Sequence, residues 1–147
     1  MSTITIPNNT LLPLVVSYLE QEKQVKLLLK GYSMRPFLEN ERDYALLEAP
    51  HEPVLYEPVL ALLPDNRWVL HRIVGIEGPA ITLLGDGNLT PEHCQVSDIK
   101  ASVVGFYRKG HSAPDLISGR KWCIYSFIWI HLFPLRRYLL AIYRRIT

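Results

Sequence analysis

A serine on a turn between glycine and proline is the first candidate for chemistry in this chain of 147 residues. Ser33 lies two residues after Gly31 and three before Pro36. Glycine allows unusual backbone dihedral angles just before the serine, and proline forces a turn just after it. This local arrangement is suited to presenting a nucleophile. A serine hydroxyl is a weak nucleophile unless a neighbouring base takes its proton, so the chain must also supply a base.

The candidate base is His71, which lies within a strand-like run at residues 67–74. Apolar neighbours on such a strand hold an imidazole rigidly and keep it largely neutral, which is the state that a general base requires. The chain therefore offers a nucleophile and a base on separate elements, and the fold must bring them together.

A third group must orient the imidazole and stabilise it once it is protonated. Asp86 is our first choice, because it lies in the Gly-Asp-Gly-Asn turn at residues 85–88. The strand before this turn could pair with the strand of His71 as a hairpin. Glu92 and Asp98, in the same loop and at its exit, remain alternatives.

The elements that must position these groups are mostly strands. All eight glycines lie between Gly31 and Gly119, which leaves both ends of the chain free to be helical. Strands without helical periods between them favour an antiparallel, coiled or barrel-like sheet over alternating strands and helices. Apolar runs bounded by turn residues predict six strands, at residues 25–29, 43–48, 58–63, 67–74, 80–84 and 101–107.

The length and composition favour one globular domain, with 48% hydrophobic and 20% charged residues. Asn8, Asn9 and Thr10 offer N-caps to a helix over residues 11–22. We predict a mainly β protein with an N-terminal helix and C-terminal amphipathic helices. Its parts are an N-terminal helix within residues 1–24, a β domain at 25–112 and a basic, aromatic, helical tail at 113–147.

Charge is distributed unevenly along the chain, although the net charge is only +2. Residues 120–147 carry six basic residues, no acidic residue and seven of the fifteen aromatic residues, so this tail has a charge of +6 and the rest of the chain −4. Aromatic residues at helical spacing predict a helix that Pro134 ends. A second, basic amphipathic helix follows, with Leu135, Leu139, Ile142, Tyr143 and Ile146 on one arc and Arg136, Arg137, Arg144 and Arg145 opposite. This pattern suits packing on its own domain, on a partner protein or on a membrane surface better than nucleic-acid binding.

The two cysteines, Cys94 and Cys123, lack the spacing of a disulfide framework or a metal site, so we expect both to be reduced and buried. No metal or cofactor is predicted. The N-terminus lacks the features of a signal peptide, and the most apolar window, residues 122–135, is too short to span a bilayer as a helix. We expect a protein of the cytoplasm or of the cytoplasmic face of a membrane.

Over about residues 30–110, the chain resembles the signal-peptidase/LexA clan of serine peptidases. The likeness rests on four sequence boxes in the clan's order, which are Gly31-Tyr32-Ser33-Met34-Arg35-Pro36, His71-Arg72-Ile73-Val74, Gly85-Asp86-Gly87-Asn88 and Val103-Val104-Gly105. Histidine in place of lysine in the second box resembles the signal peptidases of the endoplasmic reticulum and of archaea. The resemblance implies a coiled antiparallel sheet or partial barrel of the signal-peptidase/LexA type.

The resemblance also implies a serine endopeptidase that hydrolyses one bond in an extended peptide or precursor protein. Substrate contacts are expected from Met34 and Pro36, beside the nucleophile. The resemblance assigns the nucleophile to Ser33, the base to His71 and the acid to Asp86 or, if a later position of the third box is the relevant one, to Glu92 or Asp98.

Three features depart from the family pattern. Gly31 replaces a serine whose hydroxyl can help to hold the oxyanion, and the helix predicted before Ser33 is too short to span a membrane. Residues 90–94 stand in place of the Asp-Asp or Asp-Ser pair that the family has soon after its third box. These departures motivate an alternative function, a catalytically inactive peptidase-fold module that binds a peptide or partner protein. A self-cleaving repressor is disfavoured, because the residues before Gly31 are too few for a DNA-binding domain and a cleavable linker.

Overall fold

The structure, a computed structural model, describes residues 8–29, 33–39, 41–110 and 112–146. Within these residues the chain forms one sheet with helices at both ends. The elements are α1 (Asn8–Glu20), β1 (Val25–Leu28), β2 (Tyr44–Glu48), β3 (Pro58–Leu62), β4 (Trp68–Glu77), β5 (Ala80–Leu84), β6 (Glu92–Gln95), β7 (Ile99–Tyr107), β8 (Asp115–Leu116), α2 (Arg120–His131) and α3 (Arg136–Ile146). Short 3₁₀ helices precede β7, at Val96–Asp98, and join α2 to α3, at Phe133–Leu135.

The sheet is antiparallel at every strand pair in the described part of the chain. Its order is β1-β2-β7-β3-β4-β5-β6, and β8 also pairs with β7. β7 has three partner strands, since it pairs with β3 near its start and with β2 and β8 further along. The prediction of a mainly β protein is therefore confirmed.

All six predicted strands are present, and the structure adds β6 and β8. β6 has the sequence Glu-His-Cys-Gln, which lacks the apolar run that predicts a strand, and it forms because Cys94 and its neighbours pair with β5. Asn8, Asn9 and Thr10 lie within α1, so the prediction that they cap a helix starting at Leu11 is wrong. α2 and α3 match the two helices predicted in the tail.

Two hydrophobic cores lie on opposite faces of β3, because successive side chains of a strand point to opposite sides. Leu60 faces a core that α1 also lines, whereas Val59 and Ala61 face a second core. Leu12, Val15 and Leu19 cover the first core from α1, at a spacing of three and four residues that is typical of a helix face. The second core includes Ile73, Ile81, Leu83, Cys94 and Ile99.

The tail helix α2 completes the first core. The ring centroid of Trp122 lies 5.1 Å from that of Phe37 and 5.0 Å from that of Phe106. Aromatic pairs at such distances add about 0.5–1.5 kcal/mol beyond the area that they bury. The tail thus packs on the β body that precedes it.

The orientation of α3 differs from the simplest expectation for an amphipathic helix, in which the apolar arc is buried and the arginines are solvated. Arg136 and Leu140 face inward, whereas Ile142 and Ile146 are exposed. The cause lies in the body, where the Arg136 guanidinium reaches backbone carbonyl groups of the turn at residues 85–88. α3 therefore turns much of its apolar arc toward solvent.

The two cysteines are both unpaired, Cys94 being buried and Cys123 exposed. The expectation that both are buried is wrong for Cys123, because α2 turns Trp122, Ser126 and Trp129 inward and leaves the neighbouring position outside. No helix among the described residues combines the length and the apolar character that crossing a membrane requires.

Candidate active site

Ser33 and His71 line the same cleft, which has a volume of about 250 Å³. β4 supplies His71, and Ser33 lies in the segment between β1 and β2. Glu92, the first residue of β6, and Asn88, from the turn before it, line the cleft as well. The structure thus brings the predicted nucleophile and the predicted base to one surface.

Gly85 is the point at which the segments of Ser33 and His71 meet. A Cβ atom at Gly85 would lie 2.4 Å from the carbonyl oxygen of Ser33 and 3.0 Å from Cδ2 of His71, which is too close for any side chain. Next to it, the Gly87 N–H donates a hydrogen bond of 2.7 Å to the same Ser33 carbonyl oxygen. The Gly-Asp-Gly-Asn turn therefore sets the position of the serine backbone against the base.

No hydrogen bond joins the Ser33 hydroxyl group to the His71 ring in the structure, although both are described. Hydrogen bonds between catalytic groups are often long in a free enzyme and shorten only when substrate is bound. In the structure, the two groups therefore share one cleft without a direct hydrogen bond.

His71 is buried, with 3% of its surface exposed. Burial lowers the pKa of His71 below its usual value of 6.5, and the carboxylate of Glu92 opposes this shift by raising the pKa. The ring nitrogen Nδ1 is buried without a hydrogen-bond partner among the described residues. The Glu92 Oε1 atom lies 3.7 Å from Nδ1, slightly beyond hydrogen-bond distance.

Glu92 is itself held in place by a charged partner. Its Oε2 atom accepts a hydrogen bond from the Arg67 guanidinium, which also donates to Asp65 over 2.6 Å. One carboxylate oxygen of Glu92 is thereby anchored, and the other, Oε1, faces the imidazole. With 20% of its side chain exposed, Glu92 borders both the cleft and the base.

Asp86 occupies a different environment, a buried charge cluster. It is 0% exposed, and its two carboxylate oxygens accept hydrogen bonds of 2.8 and 2.7 Å from Nε and a terminal nitrogen of Arg72, which is 1% exposed. The Tyr125 hydroxyl group donates a further bond of 2.5 Å. Burial, followed by the Asp86 charge, raises the pKa of Tyr125 well above its usual value, so this hydroxyl group stays protonated as a donor.

The prediction that Asp86 orients the base is therefore corrected, because its carboxylate contacts Arg72 and not His71. The physical reason is strand alternation: His71 and Arg72 are adjacent on β4, so their side chains point to opposite faces of the sheet. Arg72 and Tyr125 were both missed from the sequence. The alternation of side chains along β4 could have predicted this pairing. It places His71 on one face of the sheet and Arg72 on the other, where the buried arginine needs an acidic partner.

The other predicted residues have the following places. Asp98 accepts a hydrogen bond of 2.8 Å from the Gln95 amide at the 3₁₀ helix before β7, so it caps a turn and does not contact the base. Met34 lines the cleft, whereas Pro36 does not. Gly31, whose backbone freedom was invoked for presenting the serine, lies outside the described residues.

Among the described residues, no group of three or more histidine, cysteine, aspartate and glutamate side chains is placed to hold a metal ion. Comparisons with models of known protein families and with curated proteins find no match for this chain. The functional argument therefore depends on the geometry of the cleft.

Proposed function

We propose that the chain is a serine endopeptidase that hydrolyses one bond in an extended peptide or precursor protein. The observation that supports this most is the meeting of Ser33 and His71 across Gly85, at the wall of one cleft. We also propose that the sheet is of the signal-peptidase/LexA type, because three of the four boxes that carry the resemblance contribute residues to this cleft, namely Ser33 and Met34, His71, and Asn88.

In the proposed reaction, the Ser33 hydroxyl oxygen attacks the scissile carbonyl carbon while Nε2 of His71 takes the hydroxyl proton. The tetrahedral intermediate then collapses as the imidazolium gives this proton to the leaving amine nitrogen. Water, deprotonated by the same imidazole, hydrolyses the acyl-enzyme and regenerates the serine. Burial keeps His71 neutral before each step, as a base must be.

We propose Glu92 as the acid that orients the base, in place of Asp86. Nδ1 of His71 is buried and unpartnered among the described residues, and Oε1 of Glu92 is 3.7 Å away. A small rotation of the glutamate would give Nδ1–H a charged acceptor, which holds the tautomer that leaves Nε2 free for the serine. Arg67 keeps the other oxygen of this carboxylate in place.

The edge of β4 beside the cleft supports an extended substrate. Residues 68–71 line the cleft and pair with β3, whereas β5 pairs with β4 only from Arg72 onward. Within the described residues, this leaves the other edge of 68–71 unpaired. A peptide in extended conformation can add there as a strand, through main-chain hydrogen bonds that do not depend on its sequence.

A serine-directed acylating probe tests the proposal. We expect the probe to label Ser33 once per chain, with labelling lost in Ser33→Ala and strongly reduced in His71→Gln. Glu92→Gln is expected to slow cleavage of a peptide mixture, detected by mass spectrometry. Absence of labelling in a folded protein that still binds peptides would instead favour the alternative function, a catalytically inactive binding module.

For location, we propose that the outer faces of α2 and α3 lie on an anionic membrane surface. In α2 the exposed apolar residues are Ile124, Phe127 and Ile128, in the turn before α3 they are Phe133 and Leu135, and in α3 they are Tyr138, Ile142 and Ile146. Within each helix, the other residues of the set lie one turn from Ile124 or from Ile142 and so form one stripe. Positions 120–147 hold no acidic residue, and five of their six basic residues are exposed, so the outer surface of the tail is complementary to anionic lipid.

Point variants test this location better than truncation, because deleting the tail would also remove Tyr125 from the charge cluster. We expect the protein to sediment with vesicles that contain anionic phosphatidylglycerol and to do so less with neutral vesicles. The double variant Phe127→Ser with Ile142→Ser should reduce sedimentation. Val54→Ser is the control and should not reduce it, because Val54 is an exposed apolar residue outside the tail helices. Equal sedimentation of all three proteins would contradict the proposal.

A further inference from the structure

A second cleft, of about 410 Å³, meets the first one at Ser33 and Asn88. One wall is the segment that carries Ser33 and the turn at residues 85–88, and the other wall is α3. We call it the α3 cleft. Its lining residues are Ser33, Arg35, Gly87, Asn88, Leu89, Arg137, Leu140, Tyr143 and Arg144. The C-terminal helix therefore borders the surface at which the proposed nucleophile lies.

The α3 cleft is lined by three arginines and by no acidic side chain. Two neighbours hold the Arg35 guanidinium in place. It donates hydrogen bonds of 3.1 and 2.9 Å to Oε1 of Glu39, and it lies 5.3 Å from the ring centroid of Tyr143. Glu39 belongs to the first cleft and offsets the charge of Arg35. The excess positive charge of the α3 cleft therefore comes mainly from Arg137 and Arg144.

Arg137 and Arg144 lie seven residues apart on α3, which places them two helical turns apart on the same side. Both are exposed, and within the described residues neither is paired with an acidic side chain. Leu140, one turn from each, forms the apolar wall between them. Two guanidinium groups at such a spacing can each donate two parallel hydrogen bonds to a carboxylate.

We propose that the α3 cleft is a specificity subsite that binds a carboxylate of the substrate, so that the enzyme prefers acidic peptides with the carboxylate within a few residues of the scissile bond. This inference rests on the proposed peptidase function. The charge distribution supports the binding of a carboxylate at this place. The body is acidic overall, yet beside Ser33 the arginines of α3 make the surface locally positive. Each extended residue spans about 3.3 Å, so a carboxylate a few residues from the bond can reach the cleft.

Four peptides distinguish the two sources of such a carboxylate. They share one sequence and differ in having glutamate or glutamine near the scissile bond, and in ending in a free carboxylate or an amide. A preference for glutamate over glutamine identifies a side-chain carboxylate as the ligand. A preference for the free terminus over the amide identifies the chain end instead.

We expect kcat/KM to be about tenfold higher for the preferred carboxylate peptide than for its neutral counterpart, mostly through KM, because a charged hydrogen bond formed with bound substrate is lost in the neutral one. In Arg137→Gln with Arg144→Gln, this ratio should fall toward one. Arg145→Gln is the matched control, since it removes a neighbouring charge of α3 that does not line the cleft. The ratio should also fall with rising salt.

A ratio near one in the unaltered protein, or a ratio that the Arg137 and Arg144 double variant leaves unchanged, would overturn the subsite. The same peptides, labelled with a fluorophore, are also titrated into Ser33→Ala to measure affinity by anisotropy. A carboxylate preference in affinity without cleavage by the unaltered protein would retain the subsite and refute the peptidase function. Cleavage without any carboxylate preference would retain the peptidase function and refute the subsite.

Discussion

Asp86→Asn separates the structural role of this residue from the catalytic role that the sequence suggested. The substitution keeps the side-chain shape and removes one charge from a pair in which Asp86 is 0% and Arg72 is 1% exposed. The Arg72 guanidinium would then be a buried charge without its counter-ion. Removing one partner of a buried ion pair costs about 3–5 kcal/mol, because the charge left behind is not compensated.

The remaining contacts of Arg72 place the expected loss near the lower end of that range. The guanidinium still donates to the Tyr56 carbonyl oxygen at 3.0 Å and to Ser126 Oγ at 2.9 Å, and it lies 4.7 Å from the Trp122 ring centroid. We therefore expect the free energy of unfolding to fall by about 3 kcal/mol. In a domain whose total stability is about 5–15 kcal/mol, such a loss is readily measured.

Urea unfolding, followed by tryptophan fluorescence and extrapolated linearly to water, measures this change. Two controls accompany it. Glu92→Gln should unfold at a urea concentration close to that of the unaltered protein, because its ion-pair partner Arg67 is 57% exposed and the pair lies at the surface. The same variant should slow peptide cleavage. The double variant Arg72→Met with Asp86→Leu should regain much of the stability, since apolar side chains of similar volume often replace a buried ion pair without loss.

The opposite pattern would refute the reasoning. If Asp86→Asn retained the stability of the unaltered protein and lost cleavage, Asp86 would act in the chemistry and the charge cluster would not be structural. If Glu92→Gln left the rate of cleavage and its pH dependence unchanged, Glu92 would not orient the base.

Three further predictions concern the same surface. Gly85→Ala should destabilise the protein by about 1–3 kcal/mol and abolish labelling of Ser33, because the new Cβ would lie 2.4 Å from a backbone oxygen. Unfolding and probe assays on one preparation test this, and native-like results in both would contradict the close approach at Gly85. The pH profile of kcat/KM should have its acid limb below pH 6.5, because burial lowers the pKa of His71. Glu92→Gln should move that limb to lower pH, because it removes a charge that raises the pKa of His71. An acid limb above pH 6.5 would count against His71 as the base. Arg136→Met should lower the free energy of unfolding by about 1–2 kcal/mol in urea, because two carbonyl groups of the turn lose a buried donor, and an unchanged midpoint would show that α3 does not support the turn.

Local patterns in the sequence predicted much of the fold. Apolar runs between turn residues located six strands, because the conformation of a strand and the need for glycine or proline at a turn are properties of a few neighbouring residues. The same reasoning singled out Ser33 and His71, which the structure places on one cleft. β6 escaped prediction because its pairing with β5, rather than its composition, makes it a strand.

Local sequence patterns were enough to predict six of the eight strands and to single out the two residues proposed for the chemistry, whereas the tertiary fold alone establishes which charges meet. Asp86, Glu92 and Asp98 all follow His71 within one short stretch, and no local pattern ranks them. The fold directs Arg72 to the face opposite His71, so Asp86 pairs with the arginine and Glu92 is left facing the base. Contacts between residues far apart in the sequence decide this, because a buried charge is stable only beside an opposite charge. The fold alone determines which opposite charge is within reach.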